Sequence, residues 1–471
     1  MDTMAVEQNG INAVPEAERH GRPRDLFWPW AGSNLSLFGV AFGVYIVGLG
    51  LGLGVVPAII TGAVGYALSF LLVGLVAVGG ARSGVPTMTL GRAPFGYQGN
   101  KLPALFSYVS NVGWEIVLVT LSAQSGAAIL ARLAPGIPAA TATAVCFAVA
   151  AVVVIAVGVY GHAMIMAVQR YLTYAFVVLT VVYMALMAPR LGGGSLETTA
   201  GPGGWLGGVI FAMTLLGLGW VNCGADYSRY LPSDSRPRSV ALWTMLGGAL
   251  PPMVLLVFGV LLAGGDPKLA EAAGADPVAA LAGALPTWFL LPYLLTAIGG
   301  FLAGAIMDIY SSGLSMLALG VPIRRHYAVL IDGLLMVLGG YYLLFVSTSF
   351  LYTFQAFLAI AGVVMAAWAA IFLVDMWRLR AAGRAYDERL LRPGAPALNW
   401  AGLVSLVVAS VAGLGLITSQ DENIAKVVGF LMSAEMKAGT FGGANVGVVI
   451  ALVLAGLLYF ALTAVMRRRR A

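Results

Sequence analysis

Glu115 and Asp308 are each the only acid within a long apolar stretch, 102–130 and 286–320 respectively. An acid at membrane depth marks a functional site by default, the alternative being a neutral acid hydrogen-bonded between helices. Surroundings poor in water favour the uncharged form of any carboxyl, which suits a group that takes up and releases protons. Around Glu115, the run from Ser107 to Leu118 puts Asn111, Trp114 and Leu118 on one helical face by three- and four-residue spacing, with Glu115 one turn beyond Asn111. A second unusual stretch, Leu215 to Tyr230, begins as an apolar helix and is interrupted by Gly217 and Gly219. It then presents Trp220 and Asn222 and ends in Asp226, Tyr227, Arg229 and Tyr230 before Pro232. A spanning helix must satisfy its own backbone, so an interruption survives only inside protein or beside a wet cavity. Such glycine-broken segments point to transporter sites, whereas close helix packing is the other use of membrane glycines.

These residues need a frame, and composition supplies it. The chain is 60% hydrophobic and only 10% charged, far from the roughly 25% charged residues of soluble domains. No charge occurs between Asp25 and Arg82, a distance that takes two membrane spans and a tight connection. The apolar runs predict spans at 33–56, 59–80, 102–130, 139–160, 169–188, 207–225, 239–264, 286–320, 328–346, 351–376, 399–418 and 446–466. With the N-terminus inside, 21 Lys and Arg fall on the cytoplasmic side and 5 outside, so both termini are expected in the cytoplasm of a multi-pass cell-membrane protein. The net charge of +6 is then topology, and no nucleic-acid partner is expected.

The expected organisation is a polar tail at 1–30, five spans in 31–190, five more in 205–376, a charged loop at 377–398, two peripheral spans in 399–466 and a basic end at 467–471. The tail reads as mobile and cytoplasmic, leading to Phe27-Trp28-Pro29-Trp30 as an interfacial anchor. Gly39 and Gly43 stand four apart on the first span, as tight packing would place them. That glycine-dense span opens one set of five as 215–230 opens the next, the correspondence an inverted repeat predicts. Cys146 and Cys223 lie inside spans with no metal-ligand spacing. Asp332 and Asp375 read as helix-end or interfacial charges. His20, His162 and His326 are scattered, and no H-E-x-x-H pair is present, so an intramembrane enzyme is not expected. A channel lacks any repeated filter-like segment.

Trp220 with Ala225-Asp226-Tyr227-Ser228-Arg229-Tyr230-Leu231-Pro232, Gly113-Trp114, Gly91-Arg92-Ala93-Pro94-Phe95-Gly96 and Tyr310-Ser311-Ser312-Gly313-Leu314 resemble the purine–cytosine permease branch of the nucleobase:cation symporter family, from about 25 to 465. The resemblance implies an all-α integral membrane protein of twelve helices in the LeuT-like five-plus-five fold. It places Trp114 and Trp220 on the two faces of a base, Asn111 on its edge, Phe42 beside it and the Gly217–Gly219 backbone against it. Leu118 shares the Trp114 face. Gln355 and Gln124 are candidates for a base edge or for linking helices. Flat heterocycles suit aromatic faces, worth about 1–3 kcal/mol per stacked base in single-strand binders.

Sodium-coupled relatives use helix-1 carbonyls with side-chain oxygens on helix 8. The corresponding positions here, Gly300, Ala303 and Gly304, carry none, and a hard cation needs oxygen ligands. The expectation is a secondary active importer of a nucleobase or related heterocycle, coupled to protons through Glu115 or Asp308, with no cofactor and no bound metal. An amino-acid or amine transporter of the same fold is the alternative. Arg92 is expected to cap the third span, and Asp226 and Arg229 to form a structural or gating contact.

Overall fold

A computed structural model describes residues 5–36, 38–48, 51–192, 198–266, 268, 272, 277–282, 285–346, 350–383, 386, 394, 396–419 and 421–468, with the backbone alone at 38, 277, 279, 350–355, 440 and 467–468. Every regular element among them is helical. The principal helices are α1a (Phe27–Asn34), α1b (Phe38–Gly48), α2 (Val55–Ser83), α3 (Lys101–Leu133), α4 (Ala139–Tyr160), α5 (His162–Met187), α6a (Pro202–Leu215) and α6b (Gly217–Trp220). They continue with α7 (Pro237–Gly265), α8 (Thr287–Ala318), α9 (Arg325–Phe345), α10 (Phe350–Ala381), α11 (Trp400–Leu414) and α12 (Gly447–Arg468). Among the described residues ten helices are long and apolar enough to cross a membrane, or eleven if the α1 pair counts as one span bent by 63°. The expected twelfth, α11, has 15 residues against the ~20 a span needs.

The α6 break falls beside the glycines expected to interrupt that span, and α1 is broken as well, ahead of its own glycines. α1a stops where Leu35 turns out of helical geometry (φ −88°, ψ 65°), and α6a stops at Leu216 (φ −133°, ψ −72°). α6b then runs into a 3-10 turn and a string of tight turns. α1 also begins earlier than expected. Trp30 is not an interfacial anchor: it is fully buried, packed edge-to-face against Trp220 (5.7 Å) and Tyr227 (5.4 Å).

Two bodies emerge from the packing. α7 lies against α2, α1b and α1a, and α2 lies against α6a. Separately, α3, α4, α8 and α9 pack on one another, with α5 touching both α1a and α8. At the α1b–α7 crossing, a Cβ on Gly43 or on Gly259 would run into the other helix's backbone, so the packing role expected of Gly43 holds. α11 and α12 pack on α10 and on each other, away from the two breaks, as expected of peripheral helices.

The N-terminal segment is no free tail. Val14 is buried and donates its N–H to Gly84 O (2.9 Å), the His20 N–H reaches Tyr230 O (2.6 Å), and Arg19 reaches Ala81 O (3.2 Å). Residues 5–26 thus close one end of the bundle.

Candidate substrate and ion site

The face expected on α3 meets the broken part of α6. Asn222 Nδ2 donates to Asn111 Oδ1 (2.9 Å) and to Ser107 Oγ (2.8 Å), and the Cys223 thiol points at the same Asn111 oxygen (3.4 Å). The remaining atoms of this amide pair, Asn111 Nδ2 and Asn222 Oδ1, are buried and have no hydrogen-bond partner among the described residues. The indole Nε1 of Trp114 stands against Gly219, 2.8 Å from where a Cβ would be, so only glycine fits there. Trp220 follows directly and donates its Nε1–H to Asn34 Oδ1 at the α1 break (3.1 Å). Asn34 in turn donates to Trp30 O (2.7 Å), a carbonyl of the last turn of α1a. Phe357 of α10 sits edge-on to Trp114 at 6.0 Å.

The structure therefore brings together Asn111, Trp114, Gly219 and Trp220 of the expected set. Leu118 lies on the same side, over Gly304 of α8. Gly217 is pressed against Ser69 of α2, so close packing accounts for that glycine and proximity to Trp114 for the other. Phe42 is buried on α1b, 6.4 Å from the Tyr45 ring. The side chain of Gln355 lies outside the described residues. Asn34, Ser107 and Phe357 were not among the expected site residues, and Asn222 was marked only as part of the broken stretch, without a role. A lone amide at the start of an apolar run was the available signal for Asn34.

The two expected acids occupy different sides of this cluster. Asp308, 1% exposed, lies within electrostatic reach of Cys223 and Tyr227 from α6 and of Glu115 from α3. Beside it, Met307 O accepts the Tyr227 hydroxyl (2.6 Å). Glu115 is fully buried and faces α8 and α9 rather than the Trp114 side. Neither carboxylate has a hydrogen-bond partner among the described residues; Ser312, next to Glu115, gives its hydroxyl to Asp332 (2.9 Å). Asp332 is no interfacial charge. It is fully buried on α9 and also accepts the Tyr108 hydroxyl (2.6 Å), because α3 covers the α9 face that carries it. Groups of three or more His, Cys, Asp or Glu able to hold a metal are absent among the described residues.

A third polar centre lies at the end closed by the N-terminal segment. Glu7 Oε1 accepts from Arg229 Nη2 (2.7 Å), Tyr230 OH (2.6 Å) and Tyr310 OH (3.0 Å), and Oε2 accepts the His162 N–H (2.9 Å) with Arg325 Nε at 3.6 Å. Its side chain is only 8% exposed. Burial pushes the Glu7 carboxyl up, but Arg229 and Arg325 outweigh it and hold the group below its ordinary value. Gly161 is required beneath it: φ is +91°, and a Cβ would meet the Glu7 carboxylate and Arg325. Nearby, Asp226 accepts from both the N–H (2.7 Å) and the hydroxyl (2.8 Å) of Thr87, while burial pushes its carboxyl up to about 6. Arg92, expected at the start of α3, also serves another helix end. It reaches Ala318 O at the end of α8 (3.3 Å) and lies over the Tyr97 ring, where a helix terminus offers carbonyls.

An all-helical bundle whose first and sixth helices are broken, with aromatic and amide side chains gathered at the breaks, defines a membrane transporter of the LeuT-like inverted-repeat kind. The solved structure of Mhp1, a nucleobase-cation-symport-1 family transporter in a closed conformation with bromovinylhydantoin bound, superposes with a TM-score of 0.76. That match has 16% identity and covers 98% of this chain and 96% of that one. The inward-facing conformation of Mhp1 gives 0.68 over the same coverage. Residues 13–442 match the family described as permeases for cytosine/purines, uracil, thiamine and allantoin, and the chain belongs to that family. The purine-cytosine permease homologue YxlA of Bacillus subtilis is 25% identical over 99% of this chain and 98% of its own length. A vitamin B6 transporter of Saccharomyces cerevisiae is 24% identical over 56% of this chain and 46% of its own length. The protein is a transporter and not an enzyme.

Proposed function

We propose that the protein imports a nucleobase or a closely related flat heterocycle, with the ring against Trp114 and Trp220 and its edge against Asn111 and Asn222. One observation carries this reading. The two amides bond to each other and leave one buried donor, Asn111 Nδ2, and one buried acceptor, Asn222 Oδ1, unmet among the described residues, one helical turn from Trp114. A base edge presents adjacent acceptors and donors of this kind. Buried polar atoms are normally paired, so an unmet donor and acceptor are best explained by a ligand that pairs them.

The coupling ion in this reading is the proton. Asp308 is its carrier because it touches the electrostatic surroundings of both the α6 turn and Glu115, and Glu115 with Asp332 lies further into the α3–α8–α9 body. The α8 positions across from the α1 break support the choice. A Cβ on Gly300 would meet Ser36, and one on Gly304 would lie 3.6 Å from Ser33 O, yet neither residue offers a side-chain oxygen. Transport proceeds as the α1–α2–α6–α7 body rocks against α3, α4, α8 and α9. Opening towards the N-terminal end, taken as cytoplasmic, must part Glu7 from one side of its clamp, since Arg229 and Tyr230 follow α6 while Tyr310 and Arg325 belong to α8 and α9.

The test is uptake of radiolabelled cytosine, purines and uracil into proteoliposomes. Accumulation driven by an inward acid gradient, unaffected by sodium and abolished by a protonophore, is the expected result. Strict sodium dependence would remove the proton assignment. Uptake of amino acids in place of bases would remove the substrate class.

A further inference from the structure

Three buried carboxyls gather where α3, α8 and α9 meet, and the reading above gives work to Asp308 alone. The pairing of α3 with α8 sets their levels. Ser107 Oγ lies 3.0 Å from Ser315 Oγ, and a Cβ on Gly304 would meet Leu118, so the two helices run antiparallel with Glu115 level with Met307 and Asp308. Ser312 stands one turn further along α8, nearer the end that the N-terminal segment closes. There the Ser312 hydroxyl donates to Asp332 Oδ2 (2.9 Å), and the hydroxyl of Tyr108, half-buried on α3, donates to Asp332 Oδ1 (2.6 Å). Glu115, beside Ser312, receives no hydrogen bond from the described residues. The groups that act on Glu115 are Asp308, Asp332 and Ser312, and those that act on Asp332 are Tyr108, Ser312 and Glu115; no cation is among them. Two facing acids without a cation do not both carry charge at small cost. Asp332 accepts two hydroxyls and is the one furnished for a charge, whereas Glu115 is furnished only as a neutral acid.

We propose that Glu115, Ser312 and Asp332 form a second proton station, through which the coupling proton passes from the level of Asp308 towards the N-terminal end. The proposal rests on the proton coupling inferred above. In the step, the Glu115 O–H bond breaks and its proton goes to Ser312 Oγ, while the proton already on Ser312 goes to Asp332 Oδ2. One proton crosses, the negative charge moves from Asp332 to Glu115, and Ser312 ends as it began. Asp308, level with Glu115, then gives its own proton to the Glu115 carboxylate. Tyr108 holds Asp332 from the other oxygen throughout.

The Ser312 hydroxyl is the group to test, because its loss removes no carboxyl. Ser312→Thr and Ser312→Val have nearly the same shape and differ in the hydroxyl, so any crowding is shared between them. Each is reconstituted as the full chain in proteoliposomes with radiolabelled cytosine, adenine and uracil, beside the parent. Under an inward acid gradient Ser312→Val should accumulate base roughly ten- to a hundredfold more slowly than Ser312→Thr, the rate equivalent of one hydrogen bond to a charged group. Exchange at equal concentrations, which needs no net proton transfer, should run alike in both, and a merely structural lesion would slow it too. A Val variant that accumulates as fast as the Thr variant, or that loses exchange in parallel, would overturn the station and leave proton coupling standing. A parent indifferent to the acid gradient would instead overturn the coupling, and the station's role in transport with it. Infrared spectra of the substrate-free chain test the proton's place without any base. Glu115→Gln should remove a protonated-acid carbonyl band, and Asp332→Asn should remove none. The reverse pattern, or no band lost in Glu115→Gln, would overturn the assignment, and if none of the three bases is taken up this measurement decides alone.

Discussion

Glu7 and the pair Asp308 and Glu115 are buried carboxylates of opposite kinds. Glu7 meets two guanidiniums, two tyrosine hydroxyls and a backbone N–H, so its charge is fully compensated. Asp308 and Glu115 meet no hydrogen-bond donor among the described residues, so nothing there compensates a charge. An acid clamped by cations is built to stay charged and hold elements together. One left without donors costs stability and persists where function uses it. The difference separates the device that closes one end of the bundle from the groups proposed to carry the ion.

The largest effect of a single substitution is expected at Asp308, the proposed ion carrier. Asp308→Asn should abolish accumulation against a gradient while exchange at equal concentrations continues and the melting temperature holds or rises. A large loss of stability in that variant would mean Asp308 is structural. Glu7→Gln should do the converse, lowering unfolding free energy by about 3–5 kcal/mol, because it leaves Arg229, fully buried, without its counter-charge. Denaturant unfolding of the purified chain measures it. The sign with pH follows from the direction of the shift. The arginines hold the folded carboxyl below its ordinary 4.5, so the stabilisation is complete above that value and disappears as pH falls through the folded one. Glu7→Gln should flatten the acid limb of a stability profile.

Smaller effects sharpen the picture. Trp114→Ala should weaken substrate binding by about 1–3 kcal/mol in a titration while the chain still folds, and unchanged affinity would place the pocket elsewhere. Glu115→Gln should cost clearly less stability than Glu7→Gln, about 1 kcal/mol or less in denaturant unfolding, since no ion pair is lost. A cost like that of Glu7→Gln would show a hidden clamp and erase the contrast.

Much of this site could be read from local sequence. The Asn111–Trp114–Leu118 face follows from helical spacing, and the break near 217–219 follows from glycines in an apolar run, because both signals lie within a few residues. Glu7 could not be found that way. Its charged partners Arg229 and Arg325, like Tyr230 and Tyr310, stand more than 200 residues away, and nothing in the surrounding polar segment marks it for burial. Trp30 and Asp332 were misplaced for a related reason. Distance from a span's end suggests an interface, whereas burial depends on which helices cover that turn, here α6 over Trp30 and α3 over Asp332.

Thermal stabilisation of the purified chain by cytosine, purines and uracil, each with and without sodium, reads both substrate class and ion dependence, because a ligand that binds only the folded state raises its apparent stability. One base should raise the melting temperature equally in both buffers, and Trp114→Ala should lose most of the rise. No response to any base, or a response that requires sodium, would contradict it.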